Sequence, residues 1–308
     1  MKVLVTGASG FLGAQIVRAL GAKKHHPIAL LRESSSRARL PKGVEIRESS
    51  LDDEKALRQA CEGVDALIHA AGGGRQSAGE DMRARNVALT QKVIEAAEDA
   101  ELKSLIFISS LAAKSARSQY GRAKKEAETL VHASEALRTL VVRPSAIYGP
   151  FDDRWLSYFK GAQKRIALHP KVDSLRMIHV DDCADFIAHA LEIFTNDNAL
   201  DKHSFDICDG RTYTWKDVSN AVGQALDKRV YTLTLSSTML NVVTDLSTFV
   251  ARLRRRSAFL SRDKIADATT AHESESQRSH ERFAWSPRYT LSAGMRHTLE
   301  GYRESGDL

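Results

Sequence analysis

Apolar positions along the chain change period repeatedly, and each change marks an element. Lys2 to Thr6, KVLVT, is a short β-branched run that meets a glycine-rich turn, and FLGAQIVRALGA after it carries apolar residues at helical spacing. A strand, a turn and a helix are predicted. Further apolar runs end at Arg32 (HPIALLR), near Ser50 (VEIRES), at Gly72 (VDALIHAAG) and at Ser110 (LKSLIFISS). Helical patterns separate them at about Asp52–Glu62, Arg83–Asp99 and Tyr120–Ser134. This alternation predicts an α/β fold, a doubly wound parallel sheet with helices on both faces.

A sixth strand, RTLVVRPSAIYG, runs into Pro150, after which the pattern loses regularity and Phe151 to Arg176 is rich in aromatic and basic residues. MIHVDDCADFIAHALEIF returns to strand-to-helix form, and HSFDICDG reads as one more strand. Helical stretches follow Arg211, then a polar segment from Ala266 to Arg282 and a final helix from near Ser292. Without a repeat or low-complexity linker, the expected division is a nucleotide-type domain over residues 1–150, completed by about 177–209. A smaller, discontinuous C-terminal substrate lobe would take 151–176 and 210–308.

Composition narrows the class. The 308 residues are 43% hydrophobic and 27% charged, which is ordinary for a globular chain with a large core. No apolar run is long enough to cross a bilayer, and the N-terminal run is cut at once by Thr6 and Gly7, unlike a signal peptide. A cytoplasmic location is expected. Cys61, Cys183 and Cys208 are odd in number and widely spaced, so they read as core residues and not as disulfide or zinc ligands. The eleven histidines lack metal-site spacing, and no metal is expected. Part of the net charge of +6 sits in ARLRRR, Ala251 to Arg256, which reads as a solvated helix face; neither nucleic acid nor membrane contact is expected.

The first turn reads Thr6-Gly7-Ala8-Ser9-Gly10-Phe11-Leu12-Gly13. Its glycines let the backbone turn tightly, approach a pyrophosphate and pack the helix on the sheet, while the helix start presents unpaired N–H groups to the anion. Preceded by a strand and opening an amphipathic helix, this loop predicts dinucleotide binding in a Rossmann-type sheet.

The spacing TGxxGxxG, together with Tyr120-Gly121-Arg122-Ala123-Lys124, resembles the short-chain dehydrogenase/reductases, and the length resembles their extended, epimerase/dehydratase-like branch. HAAG, NVALTQKVIEAA from Asn86, ISS, VRPSAIYGP from Val142 and IHVDDCADFI from Ile178 resemble that family's successive motifs along nearly the whole chain. The resemblance implies an NAD(P)-dependent oxidoreductase. It places the cofactor against Gly7, Ser9, Gly10, Phe11, Leu12, Gly13, Ala70, Ala71, Gly72 and Ser109, with Pro144 and Ile147 lining the nicotinamide. Ser50 and Leu51 stand where the family usually has Asp-Leu or Asp-Val beside the adenine. A plain ribose usually meets an acidic side chain after the second strand, but this chain has Arg32 there and Arg37 beyond it. A guanidinium suits a 2'-phosphate, so NADP is favoured; Glu33 keeps NAD open.

Tyr120 and Lys124 lie one helical turn apart on one face. A tyrosine pKa is about 10, and lowering it by about 3 units needs on the order of 4 kcal/mol of preferential phenolate stabilisation. An adjacent lysine ammonium and a positive nicotinamide ring supply it. The candidate roles are Tyr120 as general acid/base, Lys124 as its electrostatic partner and ribose anchor, and Ser110 as polariser of the substrate oxygen, with Ser109 the alternative. Tyr120 and Lys124 thereby also touch the cofactor. His179 and Asp181 read as anchors of the returning strand. Only nine residues separate Ser110 from Tyr120, shorter than in many extended members, which predicts an open pocket or one closed by the second lobe.

Three functions compete. The first is reduction or oxidation of a small, largely apolar carbonyl or secondary alcohol. The second is nucleotide-sugar epimerisation or dehydration with bound NAD, where such enzymes often place an Asn and this chain has Ser145-Ala146. The third is a non-catalytic sensor or assembly factor, which needs no Tyr-Lys pair. Thr232 to Asp267 reads as a helical lid in preference to an interfacial membrane helix, and the chain as a monomer or homodimer.

Overall fold

Val3, Leu4, Val5 and Thr6 are fully buried, and the strand they form, β1 (Lys2–Thr6), is central to the seven-stranded sheet of the computed structural model. The structure describes residues 1–72, 82–170, 174–235 and 273–308. After β1 come α1 (Phe11–Ala22), β2 (His26–Leu31), β3 (Glu45–Glu48), α2 (Glu54–Cys61), β4 (Ala66–His69), α3 (Met82–Asp99), β5 (Ser104–Ile108), α4 (Ala112–Ser115), α5 (Gln119–Ala133) and β6 (Arg138–Pro144). Then follow β7 (Ala146–Tyr148), α6 (Asp153–Gln163), β8 (Ile166–Pro170), β9 (Met177–His179), α7 (Val180–Asn196), β10 (His203–Ile207), α8 (Trp215–Leu226), β11 (Tyr231–Leu235), α9 (Ser276–Arg282) and α10 (Leu291–Glu304).

The main sheet runs β3-β2-β1-β4-β5-β6-β10 with every pair parallel. Strand order reverses between β1 and β4, and in such sheets the crevice at the carboxyl ends beside that reversal receives ligands. Each face has its own core. On one, Ile16, Val17 and Leu20 of α1 pack with Phe186, Leu191 and Phe194 of α7. On the other, Leu57 of α2, Val93 and Ala97 of α3 and Val131 of α5 close over Leu4, Leu67 and Leu105. A third cluster joins Phe159 of α6, Val218 and Val222 of α8, and Met295, Leu299 and Tyr302 of α10 around Tyr148.

The predicted sixth strand is two. Pro144 ends β6 without an N–H to extend the ladder, Ser145 donates to the Ile207 carbonyl at 2.9 Å, and Ala146 turns to the Arg176 carbonyl at 3.2 Å. β7 then pairs with β9, outside the main sheet. The short stretch between Ser110 and Tyr120 is filled by α4, which lies directly on α5. A Cβ at Gly121 would stand 2.5 Å from the Ala112 carbonyl oxygen, so only glycine permits the approach. The three cysteines are free and buried, and no described helix is long and apolar enough to cross a membrane. The basic run Ala251–Arg256, and the remainder of the predicted lid after Leu235, lie outside the described residues.

Candidate active site

The glycine loop is held by contacts that a side chain would break. Gly7 has φ of +69°, and a Cβ there would sit 2.7 Å from the Ala71 nitrogen; one at Gly13 would sit 2.1 Å from the Gly7 oxygen. The Gly10 N–H closes the turn on the Gly7 carbonyl at 2.9 Å. No side chain caps α1, so the N–H groups of its first turn beside Ser9, Phe11 and Leu12 remain for a ligand anion. Ala70 and Ala71, just past β4, form the opposing wall.

A directed hydrogen-bond chain supports that wall. Thr90 Oγ1 donates to the Asn86 carbonyl at 2.9 Å, so it accepts from His69 Nε2 at 3.3 Å. His69 Nδ1 therefore accepts from Thr6 Oγ1 at 2.7 Å, which leaves Thr6 to accept the Ala71 N–H at 3.4 Å. Each group has one consistent role only if His69 is neutral with its proton on Nε2. Burial, aided by the Lys124 charge, pushes the His69 pKa down to about 3, in agreement.

Ser118 caps α5 by accepting the Gly121 N–H at 2.8 Å, which fixes the helix start and places Tyr120 in its first turn. The positive end of a helix favours a phenolate there. One turn on, Lys124 is buried, donates from Nζ to the Ile108 carbonyl at 2.9 Å and lies 4.8 Å from the centre of the Phe107 ring. Burial lowers its pKa to about 8, while the charge of Glu128 raises it in part. Lys124 is thus mostly protonated at neutral pH. Glu128 is itself gripped by Arg143 through bonds of 2.8 and 2.6 Å.

The same lysine bears on stability. A folded-state pKa near 8, against 10.5 for an ordinary lysine, means that the buried charge opposes folding below about pH 8 and ceases to do so as pH rises toward 10.5. Lys124→Met is expected to raise the stability of the cofactor-free protein at pH 7 by ~1–3 kcal/mol, less what the lost Ile108 bond contributed. The gain should shrink above pH ~9. Thermal unfolding of the two proteins across that range measures it; an equal gain at every pH would contradict a buried ammonium.

Ser110, half-buried just past β5, accepts the Ala112 N–H at 3.2 Å and keeps its own proton to donate. Ser109 is more deeply buried, and its Oγ has no partner. Nor have Ser145 Oγ and Asn86 Nδ2. Ser109 and Ser145 follow the carboxyl ends of adjacent strands, β5 and β6. Asn86 faces Gly72, where a Cβ would meet Asn86 Oδ1 at 3.2 Å and Lys124 Nζ at 3.5 Å. Buried polar atoms without partners are rare, and their gathering at this edge fits a polar ligand such as a dinucleotide. Sequence reasoning assigned no role to Asn86 or Ser145; the signal for Asn86 was its place at the head of the α3 motif.

Past β2, Arg32 is exposed and makes no ion pair among the described residues, whereas Arg37 is bound to Glu48. Ser50 Oγ accepts the Asp52 N–H at 3.2 Å, and Leu51 packs on the core beside α2. Pro144 is buried and Ile147 partly so at the β6–β7 switch.

His179 caps α7, its Nδ1 accepting the Asp181 N–H at 3.2 Å. Its Nε2 therefore carries the proton and faces His297 Nδ1 at 3.3 Å, while Tyr289 stacks on the ring at 3.9 Å. Burial holds the His179 pKa down at about 3. Nδ1 thus caps α7 and Nε2 joins it to α10.

The sequence profile of the NAD-dependent epimerase/dehydratase family matches residues 3–208. A ceramide reductase from Caulobacter vibrioides is 34% identical over 186 residues, covering 59% of this chain and 58% of that protein. Sterol demethylase protein B from Methylococcus capsulatus is 32% identical over 176 residues, covering 50% of this chain and 54% of that protein. These alignments span little more than half the length of those curated relatives. UDP-glucose 4-epimerase from Thermotoga maritima, solved with UDP-glucose, superposes with a TM-score of 0.75 over 99% of both chains at 18% identity, a likeness of fold.

Proposed function

The chain belongs to the NAD-dependent epimerase/dehydratase family, and from that premise we propose that it is an NADP(H)-dependent reductase of a largely apolar carbonyl compound. The observation that carries this reading is the buried Lys124 ammonium one turn after Tyr120, tied to the end of β5 just before Ser110. When bound, the cofactor supplies the hydride. Ser110 donates a hydrogen bond to the substrate oxygen and stabilises the negative charge that builds there. Tyr120 delivers the proton to that oxygen, and the Lys124 charge with the α5 N-terminus lowers the cost of the phenolate left behind. Asn86 and Lys124 together hold polar groups of the nicotinamide half, while Gly7, Gly10 and Gly13 admit the pyrophosphate. The names of the two curated relatives, a ceramide reductase and a sterol demethylase protein, support an apolar substrate.

Arg32 carries the cofactor choice, because its guanidinium makes no ion pair among the described residues while Arg37 must leave Glu48 to assist. Fluorescence titration should give tighter binding of NADPH than of NADH, and Arg32→Glu should lower that ratio about tenfold or more, as expected for loss of a charge-assisted phosphate contact. Equal affinities in the unaltered protein would refute the NADP assignment.

A further inference from the structure

Among the described residues, the large hydrophobic side chains left exposed are Met1 and four that share one surface: Ile166 at 47%, Leu168 at 54%, Tyr231 at 53% and Leu233 at 53%. β8 and β11 pair in parallel with Ile166 opposite Tyr231 and Leu168 opposite Leu233. Side chains alternate along a strand, so all four project from one face of this two-stranded sheet. The alternate residues of β8 serve the other face, where Ala167 is buried and His169 stacks on Trp215 at 5.8 Å.

One end of the apolar face is basic. Lys160, Lys164 and Arg165 precede β8, Lys228 and Arg229 precede β11, and all five are exposed. The two turns are joined. The Tyr231 N–H donates to the Arg165 carbonyl at 2.9 Å, Lys228 Nζ donates to the Gln163 carbonyl at 3.2 Å, and the Arg229 guanidinium lies 5.4 Å from the centre of the Tyr231 ring. Asp227 is the one carboxylate in these turns.

We propose that this face docks on an anionic lipid bilayer, with the four apolar side chains entering the boundary between headgroups and acyl chains and the basic turns resting on lipid phosphates. Aliphatic and aromatic side chains set beside several cations match the two layers of such a surface, and exposed apolar patches of this kind mark interaction sites. Self-pairing of this face would set five cations of one copy against five of another with only Asp227 to offset them in the described turns, which disfavours a second copy as the occupant. The inference is independent of the hydride-transfer reading, since vesicle binding is measured without substrate.

Sedimentation of the full chain with vesicles tests it. Binding is expected to vesicles of phosphatidylcholine mixed with phosphatidylglycerol, to weaken with salt, and to be slight with phosphatidylcholine alone. Leu168→Ser/Leu233→Ser and, separately, Lys164→Glu/Arg229→Glu should each lower the affinity about tenfold or more while leaving NADPH binding unchanged. Vesicle binding that survives both double variants would place the contact elsewhere and overturn the proposal. So would equal binding to both vesicle types. A dimer that dissociates in Leu168→Ser/Leu233→Ser without any vesicle binding would assign the face to a second copy.

Discussion

Tyr120→Phe is expected to lower kcat for carbonyl reduction about a thousandfold, within the range of general-acid contributions, and to change the NADPH dissociation constant no more than about threefold. The separation follows from where Tyr120 sits. Its ring remains in the first turn of α5, so the Ser118 cap and the Lys124 anchor to Ile108 are undisturbed and the cofactor surface keeps its shape. What is lost is the proton donor in the transition state. A loss confined to KM would instead make Tyr120 a binding residue, and unchanged turnover would remove it from the mechanism. Steady-state kinetics on a panel of ketones and aldehydes, with NADPH affinity measured separately, gives both quantities.

The second large effect belongs to the glycine loop. Gly13→Ala places a Cβ 2.1 Å from the Gly7 carbonyl oxygen, a backbone atom that cannot swing aside. Either α1 withdraws from the sheet or the turn opens, and both move the N–H groups proposed to hold the pyrophosphate. Destabilisation of about 3 kcal/mol is expected, which for a chain of this size lowers Tm by roughly 5 °C, and NADPH affinity should fall at least tenfold. Gly21→Ala provides the contrast on the same helix. Nothing lies within 4 Å of its added Cβ, so it should raise stability by about 0.5–1 kcal/mol and leave cofactor binding intact. Similar thermal shifts for the two variants would mean that helix propensity, and not loop packing, governs both.

The sheet and its glycine loop were legible because local patterns specify them. β1, β2, β4, β5 and β6 each carry a run of apolar residues, and the TGxxGxxG spacing encodes close approaches that the Gly7 and Gly13 contacts make explicit. Long-range effects were not legible. The β6–β7 break depends on Ser145 reaching Ile207 and Ala146 reaching Arg176, partners far along the chain, so one apolar run concealed a change of sheet. The short Ser110–Tyr120 interval gave no sign of α4, whose packing on Gly121 is a fit that depends on one missing Cβ. The hold of Glu48 on Arg37 likewise depends on the fold and leaves no mark in the sequence pattern. Asn86 and His69 gain meaning only from burial, the first as an orphan amide beside Lys124 and the second as a neutral ring between Thr6 and Thr90. The apolar face of β8 and β11 is assembled from strands distant in sequence, each contributing too few residues to register as a pattern.

The most direct test follows the hydride itself. NADPH deuterated at the transferring C4 position, incubated with the protein and a reducible apolar ketone, should yield an alcohol carrying one deuterium on the carbinol carbon, with an equivalent of NADP formed. An unlabelled alcohol, or a product isomerised at its carbinol centre while the cofactor shows no net oxidation, would contradict a reductase built on Ser110, Tyr120 and Lys124.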